Sequence, residues 1–220
     1  MDARFAKIAM KNRYYPAFLN LEGKYVLMVG AGSVAVQKIR TLLGLEANIH
    51  VVAPDASENV KRWASQKKIY LQRRRFSLAD LKKAELVFCA TNDMVLNAQV
   101  FAACRARKIW VNVVDRPALC DFIVPSVLRR GRLVAAISTG GASPALARFI
   151  KQKSEKILTP ELANLAEVLN ILRPELKKIP MAARKKKLES ILTETLIQKI
   201  KGKKINWVLS YVRRKTREKN

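Results

Sequence analysis

The residues of this 220-residue chain best suited to chemistry begin with Gly30-Ala31-Gly32-Ser33-Val34-Ala35. The spacing is that of a G-x-G-x-x-G/A turn, with alanine in the third glycine position. Gly30 permits a tight turn, Gly32 lets the backbone approach a pyrophosphate, and a small residue at 35 lets helix and strand pack. A helix opening here points its amides and positive dipole end at phosphates. The setting is the one such a turn needs. Lys24-Tyr25-Val26-Leu27-Met28-Val29 reads as a buried parallel strand. Val34, Ile39, Leu42 and Leu43 then share a helical face, and Asn48-Ile49-His50-Val51-Val52 is the next strand, stopped by Pro54. Residues 24–55 are expected to form a dinucleotide-binding βαβ unit.

Other groups could complete a site. The acid that binds an adenosine ribose usually ends the second strand, where this chain has Ala53, with Asp55 two residues on. No Arg or Lys lies between Val52 and Lys61, which favours NAD over NADP. Asp115 ends a fifth strand-like run, Trp110-Val111-Asn112-Val113-Val114, where ligands of open α/β sheets bind. Its carboxylate could accept a proton as a hydride leaves a neighbouring carbon, or could cap the turn before Arg116-Pro117; the residues alone weigh these equally. Ser138-Thr139-Gly140-Gly141-Ala142-Ser143-Pro144 is a small-residue loop entering a helix, suited to a carboxylate or phosphate, or simply a connection. His50, the one histidine, falls inside a strand and reads as core or surface. With one His and no clustered Cys, no transition-metal site is expected.

The elements that must position these groups alternate. Apolar runs at 24–29, 48–52, 69–71, 86–90 and 110–114 alternate with helical patterns, which means a parallel sheet covered on both faces. Runs 122–128 and 133–138 flank Gly131 and read as a hairpin; Ser143-Pro144 starts a helix with Leu146, Phe149, Ile150 and Ile157 on its apolar face. From Thr159 onward the chain reads as all helical, with Pro160, Pro174 and Pro180 near the starts of successive segments. The expected class is α/β, with domains at 1–115, 116–158 and 159–220.

Charge sets the range of partners. The 43 Lys+Arg against 17 Asp+Glu leave a net +26, spread over both parts of the chain. Such a field attracts nucleic acid, acidic lipid or a polyanionic small molecule. Arg184-Lys185-Lys186-Lys187 reads as one solvated helix face. No apolar run reaches membrane-spanning length, and the N-terminus lacks a signal-peptide pattern. Cys89, Cys104 and Cys120 fit no disulfide or CxxC scheme, so a cytoplasmic location is expected.

Taken together the motifs resemble the precorrin-2 dehydrogenase family, including the dehydrogenase–chelatase part of sirohaem synthases. The signatures are Val29-Gly30-Ala31-Gly32-Ser33-Val34-Ala35, Val51-Val52-Ala53-Pro54, Ala90-Thr91-Asn92-Asp93, Asn112-Val113-Val114-Asp115, Leu119-Cys120-Asp121-Phe122-Ile123-Val124-Pro125 and Ile137-Ser138-Thr139-Gly140-Gly141-Ala142-Ser143-Pro144. The resemblance implies oxidation of precorrin-2 to sirohydrochlorin with NAD by a homodimer built of a Rossmann domain, a small β/α dimerisation region and a helical C-terminal domain. It implies cofactor contacts at Gly30, Gly32, Ser33, Val34, Pro54, Asp55, Thr91 and Asn92, and a chemical role for Asp115. Substrate contacts are expected at Arg116, Ser138, Thr139 and Gly140. Thr139 falls where some members carry a phosphorylatable serine. The polycarboxylate substrate would account for the basic charge. Two alternatives accompany this reading: a bifunctional enzyme that also inserts ferrous iron into sirohydrochlorin, and a nucleotide-sensing regulator that binds nucleic acid. The second lacks a recognisable helix-turn-helix or aromatic RNA-binding motif, so no specific nucleic acid is expected.

Overall fold

The computed structural model describes residues 14–217. The N-terminal residues read above for a signal peptide lie outside the described residues. The chain divides into two compact units, Met1–Val124 and Pro125–Asn220.

The first unit is built on a five-stranded sheet of β1 (Tyr25–Val29), β2 (Asn48–Val52), β3 (Tyr70–Gln72), β4 (Leu86–Cys89) and β5 (Trp110–Val113), in the order β3-β2-β1-β4-β5. Every pairing is parallel, as the alternation of runs predicts. Helices α1 (Ser33–Leu43), α2 (Glu58–Ser65) and α3 (Met94–Ala106) fill the crossovers. Two apolar clusters separate by face. Ala35, Val36, Ile39 and Leu42 of α1 pack with Val26, Met28 and Phe88, while Val100 and Cys104 of α3 pack with Leu27, Val87 and Val111. Each fully buried Val, Leu or Ile contributes about 1.5–3 kcal/mol. Cys89 and Cys104 belong to the second cluster, and burial pushes their thiols up to about 12 and about 11. Both are core side chains.

The strand order reverses between β1 and β4, so the carboxyl ends of these two strands open a crevice. On the β3 side, the chain turns through a 3-10 segment, Leu78–Leu81, held by a capping box. The Ser77 amide donates to Asp80 Oδ2 at 2.8 Å, and Arg74 Nη1 donates to the same carboxylate at 2.9 Å. Burial pushes the Asp80 pKa up, but the hydrogen bonds from Arg74 and Ser77 and the Arg74 charge outweigh it, and the net shift is down. Asp80 therefore stabilises the fold above the ordinary carboxylate range, and that stability is lost as pH falls through the depressed folded-state pKa. Asp80→Asn is expected to cost about 1–3 kcal/mol at neutral pH. Urea unfolding of both proteins at neutral and strongly acid pH checks this: the gap between them should shrink in acid.

In the second unit, β6 (Ser126–Arg130) and β7 (Leu133–Ile137) form the expected antiparallel hairpin, turning at Gly131 with φ +54. The first strand begins at Ser126 rather than at Phe122. Pro125 has no amide hydrogen for a ladder, and the Phe122 carbonyl instead accepts from Asn112 Nδ2 at 2.9 Å. Helices α4 (Pro144–Ser154), α5 (Pro160–Lys177), α6 (Met181–Ile191), α7 (Glu194–Ile200) and α8 (Ile205–Arg217) complete the unit. Pro160 opens α5, but Pro174 lies inside that helix and does not start a segment. An interior proline costs about 3 kcal/mol. The buried stripe Leu165, Val168, Leu172 and Leu176, packed on Ile191, Leu196, Ile200, Val208 and Val212, outweighs that cost and carries the helix through it. No helix among the described residues is long and apolar enough to cross a membrane.

Candidate functional site

The crevice at the β1–β4 switch point is a cleft of about 850 Å³. Gly30, Gly32, Ser33, Val34, Pro54, Asp55, Thr91 and Asn92 all line it. Gly30 has φ +104, and a Cβ there would collide with the Ala90 backbone carbonyl. Glycine at 30 is thus a condition for β1 and β4 to meet. Gly32 has a different reason. Its backbone suits any residue, and no protein atom lies within 4 Å of where a Cβ would stand. A side chain there would fill only the cleft, so the glycine keeps a cradle open. Gly32 is the N-cap of α1, makes no side-chain cap, and the first turn holds no acid. The leading amides of α1 and its positive dipole end therefore face the cradle uncompensated, which fits a pyrophosphate.

The opposite wall is fixed by a buried network. Thr91 Oγ1 donates to Asn97 Oδ1 at 2.6 Å, Asn97 Nδ2 donates to the Thr91 carbonyl at 3.1 Å, and Cys89 Sγ donates to Asn97 Oδ1 at 3.0 Å. Asn97 is 5% exposed. Asp93 then caps α3, accepting from the Leu96 amide at 2.9 Å. The Thr91 hydroxyl is committed to this wall, while Asn92 and Gln99 also line the cleft.

Asp115 does not line this cleft. It stands exposed just past β5, in the left-handed region at φ +57. The turn is held by the Arg116 amide on the Val113 carbonyl at 3.2 Å and by Cys120 Sγ, which donates to the Val113 and Arg116 carbonyls at 3.1 and 3.2 Å. Arg116 turns its guanidinium to the Met94 sulfur at the start of α3. Ser138, Thr139 and Gly140 lie in the second unit. There the Thr139 hydroxyl accepts from the Ser143 amide at 2.9 Å and donates to its carbonyl at 3.1 Å, while the Gly140 amide donates to Ser138 Oγ at 3.0 Å. Much of this loop's hydrogen bonding is thus internal.

Two residues escaped the sequence reading. Lys38, half-buried on α1, places its amino group 5.9 Å from the centroid of Phe88. Burial lowers its pKa, opposed by the charges of Cys120 and Asp115. Arg75, three residues beyond the end of β3, lines the cleft with Phe76. Both arrive through space: sequence spacing around Gly30 or Asp115 carries no signal for either.

A doubly wound parallel sheet whose glycine turn leads into an uncapped helix defines a dinucleotide-binding protein of the Rossmann class. Residues 17–126 match the family model described as "Putative NAD(P)-binding", and the chain belongs to that family. The cofactor is accordingly a nicotinamide adenine dinucleotide. The chain is 36% identical over 190 residues to a siroheme synthase of Nitrosococcus oceani, covering 86% of this chain and 41% of the relative. It is 40% identical over 165 residues to a siroheme synthase of Buchnera aphidicola, covering 75% and 35%. It thus spans about two fifths of the length of the curated relatives it matches. Among solved structures it is similar to SirC, a precorrin-2 dehydrogenase, with TM-score 0.71 and 26% identity over 91% of this chain and 100% of that one.

Proposed function

We propose that the chain oxidises precorrin-2 to sirohydrochlorin with NAD as hydride acceptor. The observation that carries this is the extent of the likeness to SirC. It runs through all of that chain and 91% of this one, whereas a shared dinucleotide fold alone would account only for the first unit. The reaction removes a hydride and a proton from the tetrapyrrole. When bound, the nicotinamide supplies the hydride acceptor. Gly32 and the first turn of α1 hold the pyrophosphate, and Asn92 faces the dinucleotide from the β4 side. Asp115 accepts the proton, its carboxylate carried on a turn that Cys120 holds from below. Arg116 beside it meets a substrate carboxylate.

Cationic side chains of the second unit support a polycarboxylate substrate. Arg132 is engaged by Glu167 at 2.6 Å, and among the described residues no ion pair holds Arg129 or Arg130 on the same hairpin. On α4, Leu146, Phe149 and Ile150, followed by Ile157, are 38–71% exposed, an apolar face that supports a homodimer. Three free thiols suit a cytoplasmic setting.

The same Asp115 could take pyrrole protons during insertion of ferrous iron, and the siroheme synthase relatives favour that second activity. Anaerobic incubation with sirohydrochlorin and ferrous iron tests it: a sirohaem spectrum absent from the enzyme-free control supports chelation, and equal rates with and without protein exclude it. Nucleic-acid binding by the basic surface is expected to be non-specific and to vanish as salt rises.

A further inference from the structure

We infer that Arg75 makes the adenosine end of the cleft a receptor for a 2′-phosphate, so that the site takes NADP as well as NAD. The inference rests on the dinucleotide reading of the cleft and not on the identity of the reduced or oxidised substrate. The segment between Val52 and Lys61 holds no cation, but β3 pairs in parallel with β2 and delivers one from the next crossover. Because the sheet order is β3-β2-β1, the ends of β2 and β3 flank the adenosine half of the cleft, away from β4 and β5.

Arg75 is the one cationic side chain among the described residues lining the cleft, where Ala53, Pro54, Asp55 and Phe76 accompany it. Its backbone is held in place. Arg74 Nη1 donates to the Arg75 carbonyl at 3.0 Å, and the same guanidinium is bound by Asp80 and Gln72. Arg74 is therefore spent on the fold, while no carboxylate lies within 4 Å of the exposed Arg75 guanidinium among the ion pairs of the described residues. A free guanidinium on an anchored backbone matches a phosphate dianion in two parallel hydrogen bonds. Ala53 matters as well. An acid at the end of β2 binds the ribose hydroxyl and would repel a 2′-phosphate, and this chain has none there. Asp55, two residues later, is a nearby opponent.

Titrating the full chain with NAD and with NADP by calorimetry tests this. NADP is expected to bind within about tenfold of NAD. Arg75→Ser should weaken NADP by about tenfold or more and leave NAD within about twofold, and Arg75→Lys should recover part of the loss. Added salt should weaken NADP more than NAD. Equal loss of both dinucleotides in Arg75→Ser, with an unchanged thermal midpoint, would overturn the inference and assign Arg75 to the shared pyrophosphate. NADP binding more than about a hundredfold weaker than NAD in the unaltered chain would overturn it too. A chain that binds both dinucleotides yet oxidises no precorrin-2 leaves this inference standing and removes the substrate assignment. One that binds neither removes both.

Discussion

Asp115→Asn is expected to lower precorrin-2 turnover by about a hundredfold or more while NAD affinity stays within about twofold. Asparagine is the informative replacement because the backbone at 115 sits at φ +57. Asn tolerates that region better than most residues, so the turn survives and only the proton-accepting charge is lost. Single-turnover NADH formation beside an NAD titration separates the two effects. Full activity in the variant would leave Asp115 as a turn residue only. The position beyond β5, and the Lys38 ammonium close by, make the chemical role the expected one.

The second large effect divides the two motif glycines. Gly30→Ala is expected to destabilise the fold by about 3 kcal/mol or more, because a Cβ would strike the Ala90 carbonyl and the residue must keep φ +104. Gly32→Val is expected to leave the unfolding midpoint nearly unchanged and to weaken NAD by about tenfold or more, since its side chain meets only the cleft. Urea unfolding and NAD titration of both variants read the contrast. If Gly32→Val bound NAD as well as the unaltered chain, the cradle would not hold the pyrophosphate.

The parts of the fold that were legible in sequence share one property: the physics is local. The β1–Gly30–α1 crossing could be read because an apolar run, a glycine spacing and a 3.6-residue periodicity succeed one another within a single unit. The eight residues expected around the cofactor line one cleft because they lie just past the ends of β1, β2 and β4 or in the first turn of α1, whose positions the alternation fixes. Where tertiary packing decided, local signals misled. Pro174 looked like a helix start, but the Leu165–Leu176 stripe already had its partners and carried α5 past it. The run at 122–128 looked like one strand, but Pro125 and the Asn112 hydrogen bond to Phe122 keep its first half out of the ladder. Arg75 and Lys38 were invisible because parallel neighbours in a sheet are remote in sequence. Only the strand order brings Arg75 beside Asp55, and only the packing of α1 over Phe88 brings Lys38 toward Asp115.

If this dinucleotide cleft serves the oxidation of a tetrapyrrole, reduced cofactor and oxidised ring must form together. Anaerobic incubation of the purified chain with precorrin-2 and NAD, followed by visible spectra, tests it most directly. NADH and sirohydrochlorin should appear together in equal amounts, at a rate proportional to the protein added. Sirohydrochlorin formed without NADH, or no reaction from a preparation that binds NAD, would contradict it.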